Sequence, residues 1–167
     1  MNQNAIESLN NYKHVYFLGI GGIGMSGLAR WFKQHGFWVG GYDKTPSPLT
    51  DAMRAEGIEI HFDDEPGQIP GFIRDEKDKT LVVLTPAIPP NHAEWKFFRD
   101  AGYNILKRSQ VLGLITQTGF TVAVAGTHGK TTTSSMIAYL LKEAGLGCTA
   151  FLGGVSANYG TNFLLSD

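Results

Sequence analysis

The stretch "VYFLGIGGIGMSGLA", residues 15–29, decides the fold. It begins as a short apolar run, turns through Gly19-Ile20-Gly21-Gly22-Ile23-Gly24, and continues with Met25, Leu28 and Phe32 at helical spacing. A strand, a G-x-G-x-x-G turn and a helix form the context in which that pattern has meaning. Gly19 allows the tight turn, Gly21 lets a backbone approach a diphosphate, and Gly24 lets helix and strand pack closely. The helix N-terminus then offers unpaired N–H groups and about half a positive charge, so an anion can be held without a lysine nearby. Asp43, at the end of the next apolar run, stands near the distance expected of a ribose-binding carboxylate.

Working outward, "HVYFLG" (14–19), "FWVGGY" (37–42), "IEIH" (58–61), "TLVVLT" (80–85), "NILK" (104–107) and "TVAVAG" (121–126) read as buried strands. They alternate with helical stretches, which predicts an α/β fold: a Rossmann-like parallel sheet with helices on both faces. Residues 62–79, "FDDEPGQIPGFIRDEKDK", read mostly as loop, with the charge run a solvated surface. The segment "LTPAIPPNHAEW" (84–95) leaves the strand edge where open α/β sheets bind ligands. Thr85, Asn91 and His92 could offer hydrogen bonds there, although His92 alone reads as an exposed loop histidine.

A second glycine turn lies in "TVAVAGTHGKTTTSSMIAYLL", residues 121–141. The full phosphate loop G-x-x-x-x-G-K-[ST] would need glycine where Val124 stands. What remains is what phosphate binding requires. Gly126 and Gly129 can turn backbone N–H groups inward, Lys130 can reach the outer phosphates, and the Thr131 hydroxyl can bind Mg²⁺. A helix over 130–144 and a strand over 148–153 should follow, with Cys148 as inert core. Two such openings in one sheet would be unusual. The chain is therefore expected to divide into 1–113, a complete Rossmann-like unit, and 114–167, the incomplete start of a P-loop ATPase domain.

Composition narrows the function. Fourteen Lys+Arg against fifteen Asp+Glu give no bulk field for nucleic acid or an anionic membrane. The single cysteine excludes an intrachain disulfide and Cys-based zinc sites. The polar N-terminus lacks a signal-peptide core, and no apolar run approaches the roughly 20 residues of a membrane span. A soluble, cytoplasmic protein is expected. An NAD(P)-dependent oxidoreductase would account for the first loop and Asp43 but has no use for "GTHGKTTT". A nucleotide-sensing module would be supported by a basic DNA-binding domain, and none is present.

Taken in order along almost the whole chain, "VYFLGIGGIGMSGLA", "GYDKTPSPLT", "VVLTPAIPPNHAEW", "LKRSQVLGLI" and "VAGTHGKTTTSSMIAYLL" resemble the Mur ligases of bacterial peptidoglycan synthesis. The shortened G-T-x-G-K-T loop is itself a mark of that family. The resemblance implies three domains: one for the UDP part of UDP-N-acetylmuramic acid, one for ATP and Mg²⁺, and one completing the amino-acid and ATP sites. It implies phosphorylation of the muramyl carboxylate, followed by attack of an amino-acid amine, with L-alanine as that amino acid on resemblance alone. Carried over by motif, Gly19, Gly21, Gly22, Ile23 and Gly24 would meet the diphosphate. Asp43, Thr85, Pro86, Ala87 and Ile88 would contact uridine. Gly126, Thr127, Gly129, Lys130, Thr131 and Thr132 would cradle ATP, with Thr131 toward the metal. Lys130 and His128 would be catalytic, His128 lying between the γ-phosphate and the muramyl group. The acidic Mg²⁺-binding segment and the C-terminal domain would lie beyond Asp167. The chain alone is then expected to be inactive, with 119–167 mobile, packed back on the first unit, or swapped between copies in self-association.

Overall fold

The computed structural model describes residues 9–165. The first eight residues of the expected 1–113 unit and the last two of 114–167 lie outside that range. Five parallel strands, β1 (His14–Leu18), β2 (Trp38–Tyr42), β3 (Glu59–His61), β4 (Thr80–Leu84) and β5 (Asn104–Lys107), form one sheet in the order β3-β2-β1-β4-β5. Between and after them run α1 (Ile23–Gln34), α2 (Pro48–Ala55), α3 (Gly71–Asp75), α4 (Ala93–Asp100) and α5 (Arg108–Thr116). β1 is central, with His14 level with Trp38 on one side and Thr80 on the other. Its sequence has no polar alternation because both faces are covered. Val15 and Phe17 meet Met25, Leu28, Phe32, Met53, Val111 and Ile115 on one face. Tyr16 and Leu18 meet Ile69, Ile73, Phe98 and Tyr103 on the other.

Local signals start the helices. Ser47 and Thr50 form a reciprocal capping box around Pro48, which stands in the first turn of α2. α5 continues past residue 113, and its Val111 and Ile115 are buried in the first core, so packing of the first unit extends to the end of that helix.

The stretch 62–79 departs from the expected loop. It holds a 3₁₀ turn (Pro66–Gln68), α3 and a second 3₁₀ turn (Lys77–Lys79), because Ile69 and Ile73, four residues apart, both enter the core. Nor is its charge run all solvated face. The Asp64 carboxylate accepts from the backbone N–H groups of Ala93 and Glu94 at 2.9 and 3.1 Å, capping α4 from a distant segment. It also lies 2.9 Å from His92 Nδ1. His92 is therefore not the exposed loop residue expected: only 4% accessible, it packs edge-on against Tyr42.

The C-terminal part also differs. α6 (Lys130–Glu143) forms as expected, but residues 121–125 carry no strand pairing. Phe120 and Val122 are 98% and 56% exposed, for no described strand supplies the ladder that an apolar β segment needs. In place of one strand and a loop, β6 (Ala150–Ser156) and β7 (Thr161–Leu164) make an antiparallel hairpin in which Phe151 faces Phe163. This hairpin packs back onto α1. Cys148 is half-buried rather than fully enclosed, and burial pushes its thiol pKa up.

The Tyr16 phenol lies 2.7 Å from His61 Nε2 and 2.8 Å from Glu94 Oε2. One phenol proton faces two acceptors. A neutral Glu94 settles the count: its O–H can donate to Tyr16, Tyr16 to His61, and His61 Nδ1–H to the Asp63 carbonyl at 3.0 Å. Burial is the largest cause pushing the Glu94 carboxyl up from 4.5 to about 8. An acid whose folded pKa is raised holds its proton while the unfolded chain has released it, so this group's contribution falls as pH climbs from 4.5 toward 8. Glu94→Gln should therefore gain on the native protein across that window by roughly 1 kcal/mol per pH unit, then level off. Urea unfolding at several pH values measures it, and a difference independent of pH would refute the neutral carboxyl.

Candidate functional site

Parallel strands all exit at one edge, and there the predicted residues of the first unit meet. Gly19 leaves β1 with φ +87°, its N–H bonded to the Tyr42 carbonyl at 2.8 Å. A Cβ on Gly19 would sit 2.4 Å from Thr85 Cγ2 and 3.7 Å from Ile88 Cδ1. The loop after β4 thus lies directly against the first glycine turn, and Thr85, Ile88 and Gly19 form one surface. Pro86 and Ala87 stand exposed beside it.

Asp43 performs a task its position alone did not reveal. Its Oδ2 accepts from the Gly21 N–H at 2.6 Å and its Oδ1 from Thr45 N at 3.2 Å. The carboxylate braces the glycine turn from the next strand. A Cβ on Gly21 would meet Asp43 Oδ2 at 2.8 Å and Thr50 Cγ2 at 2.9 Å, so this glycine makes room for the brace.

α1 then starts without a side-chain cap at Gly22 and without an acid in its first turn. The first N–H groups of a helix have no intrahelical acceptor. Here Ile23 and Gly24 offer theirs to the edge of a cleft. Facing them is Arg108, the first residue of α5, which sequence reasoning missed. Its Nη1 would be 2.7 Å from a Cβ on Gly24, and among the described residues it has no carboxylate partner. An uncapped helix start and an unpaired guanidinium converging on one point make a site for a phosphate or diphosphate. Arg108 could have been suspected as an arginine immediately after a strand at the ligand edge.

The second glycine turn is placed apart from this one. Gly126 and Gly129 have φ +147° and +77°, and Gly129 is the left-handed residue that starts α6 without a side-chain cap. Lys130 Nζ donates to the carbonyls of Gly126 at 2.5 Å and Thr127 at 3.1 Å, curling the turn. Thr127, His128, Thr131 and Thr132 are all exposed. Thr131 does make one close contact: a Cβ on Gly153 of β6 would lie 2.6 Å from its Oγ1. With two positive-φ glycines, an uncapped helix start, a lysine and a helix-borne hydroxyl, the turn has the donors that a polyphosphate and a divalent cation would use.

A cleft of about 390 Å³ lies beside the start of α1, between it and the β6–β7 hairpin. Ile23, Gly24 and Arg108 line it with Leu112, Phe151 and Gly153, and Gly153 also approaches Thr131. Among the described residues no helix is long and apolar enough to cross a membrane.

Known proteins give this geometry a context. A family model described as "Mur ligase family, catalytic domain" matches residues 14–119. The chain is 54% identical over 160 residues to the UDP-N-acetylmuramate–L-alanine ligase of Cytophaga hutchinsonii, covering 96% of this chain and 34% of the relative. It is 55% identical over 159 residues to the protein of the same name from Phocaeicola vulgatus, at 95% and 34% coverage. The chain thus spans about a third of the length of the curated relatives it matches. Among solved structures, the UDP-N-acetylmuramate-alanine ligase of Thermotoga maritima superposes with TM-score 0.77 at 31% identity, over 91% of this chain and 34% of that one. The UDP-N-acetylmuramate:L-alanyl-gamma-D-glutamyl-meso-diaminopimelate ligase of Neisseria meningitides gives 0.82 at 32%, over 93% and 47%.

The fit of Gly19 against Thr85 can be tested directly. Gly19→Ala forces a side chain into left-handed backbone, costing about 1–2 kcal/mol, and adds the overlap with Thr85 Cγ2. Thr85→Ser deletes that methyl group. The double variant should recover the overlap part of the loss but not the backbone part, as read by urea unfolding of the four proteins. Strict additivity of the two single changes would show that the residues do not touch.

Proposed function

This chain belongs to the Mur ligase family, and from that premise we propose that it is the N-terminal part of an ATP-dependent, cytoplasmic ligase joining L-alanine to UDP-N-acetylmuramic acid. The observation that carries the reading is the pair of uncapped helix starts, each behind a glycine turn, with Gly153 of β6 both lining the cleft at the first and approaching Thr131 of the second. A single nucleotide needs one such turn. Two fit a substrate with a diphosphate at one end and a carboxylate to be phosphorylated near the other.

In this reading Ile23 and Gly24 donate backbone N–H groups to the UDP diphosphate and Arg108 adds a guanidinium. Asp43 keeps the turn in shape, and Thr85–Ile88 forms the wall beside the nucleoside. The muramyl carboxylate would take the γ-phosphoryl group of ATP, releasing ADP, and the amine of L-alanine would then displace phosphate from the acyl phosphate to form the amide. Gly126, Thr127, Gly129 and Thr132 would surround the polyphosphate of ATP, with Mg²⁺ at the Thr131 hydroxyl. Lys130 would leave the Gly126 and Thr127 carbonyls for phosphate oxygens, where a fixed cation stabilises charge on the transferring group. His128, exposed in the same turn, would lie toward the muramyl carboxylate. The boundary we propose lies just after α5, carrying the UDP-binding unit past the expected 113 to Thr116 and starting the ATP-binding unit beyond it. The exposed Phe120, Val122, Met136 and Leu140 would be covered by further elements of that second unit.

Calorimetry on the chain with UDP-N-acetylmuramic acid and with NADH separates this reading from an oxidoreductase. The UDP-sugar should bind and NADH should not; the reverse would overturn the assignment. Arg108→Ala should weaken the UDP-sugar by about 10–100-fold, the worth of a hydrogen bond to a charged group, while Arg108→Lys recovers part of it. In the full-length ligase, Lys130→Ala should lower kcat by at least about a hundredfold while UDP-sugar affinity holds. Near-normal turnover would remove Lys130 from the phosphate site.

A further inference from the structure

The hairpin between the two turns is fastened in a way that catalysis by either turn does not require. Resting on the two-nucleotide reading above, we propose that Asn162 is a positioning residue, fixing the separation of the two glycine turns with the β6–β7 hairpin as the strut between them.

Asn162 is fully buried, and both its N–H donors and its oxygen are engaged. Nδ2 donates to the Ile23 carbonyl at 2.6 Å and to Ser26 Oγ at 2.9 Å, and Oδ1 accepts from Arg30 Nη1 at 2.6 Å. Arg30 is itself held by Glu56, with Nε to Oε2 and Nη2 to Oε1 both at 2.8 Å. An amide with both N–H groups and its carbonyl used in one geometry fixes orientation as well as position. Ile23 is the residue whose N–H faces the proposed diphosphate, so the clip grips the same turn of α1 that would hold the anion.

The seat of the hairpin is shaped to match. Gly27 has no side chain where Phe151 packs; a Cβ there would be 3.4 Å from the ring. Phe151 and Phe163 pair across the strands at 5.2 Å, and Leu152 is buried. The middle of β6, two residues on from Phe151, reaches the second turn. A Cβ on Gly153 would stand 2.6 Å from Thr131 Oγ1, and one on Gly154 would stand 3.5 Å from Thr131 Cγ2. One continuous strand thus touches the helix of the first turn at Gly27 and the hydroxyl of the second at Gly153. Substrate spanning the cleft would meet a distance set by this strut.

Peptide-resolved hydrogen exchange of the chain with saturating UDP tests the proposal. In the native protein, UDP should slow exchange at residues 20–25 and also, by about fivefold, at 152–155 and 130–134. Asn162→Ala should keep the protection at 20–25 and lose it at both distant segments. Asn162→Asp retains an acceptor for Arg30 but not the donors to Ile23 and Ser26, and should lose the distant protection too. Gly153→Ala leaves the clip intact and should speed exchange at 130–134 by displacing Thr131. Distant protection surviving in Asn162→Ala, or confined to 20–25 in the native protein, would overturn the strut. No protection at 20–25 in the native protein would overturn the diphosphate assignment, and the strut with it.

Discussion

Strands that run parallel all leave the sheet at the same edge, and every feature of the candidate site depends on that constraint. Gly19, Asp43 and Thr85 are far apart in sequence, yet each follows the last residue of its strand, and β1, β2 and β4 are neighbours. The order β3-β2-β1-β4-β5 places the chain's change of direction between β1 and β4. The connections on either side of that point diverge and leave a crevice, the usual ligand position in open α/β sheets. Into it project the start of α1, the loop after β4 and, from the next strand, Arg108.

The polar groups around this edge divide into those that build it and those left for a ligand. Asp43, Asp64, Glu94 and Asn162 all have protein partners: the Gly21 amide, the start of α4, Tyr16 and the first turn of α1. Leaving the buried Glu94 or Asn162 unsatisfied would cost on the order of 1–3 kcal/mol, so their partners are structural necessities. The N–H groups at the start of α1 and the Arg108 guanidinium are not used this way. Their common sign is positive, which is why the edge suits an anion although the chain as a whole carries a formal charge of −1.

Much of this was legible in the sequence where one residue type has one physical reason to be present. The five strands and α1 were readable because two-sided burial leaves continuous apolar runs. The first glycine turn was readable because a left-handed residue and close backbone approach both demand glycine. Residues 121–125 misled for the complementary reason: Thr-Val-Ala-Val-Ala has strand character, but a strand needs a partner that propensity cannot supply. The burial of His92 was hidden because its partners, Asp64 and Tyr42, come from other segments. Arg108 and Asn162 were missed alike. A single arginine or asparagine carries no periodic signal, and its meaning appears only when the turn it faces has been placed in space.

All the strands of the main sheet lie between His14 and Lys107, whereas the Asn162 clip joins residues more than 130 positions apart. On the ribosome the chain emerges from its N-terminus, so the sheet and α1 can form before the hairpin has been synthesised. The small-residue seat on α1 would then exist in advance as a template on which the hairpin is laid down. An error in that late docking would leave the first glycine turn assembled and only the second misplaced. Quality of assembly in such a chain is decided after its core is already stable.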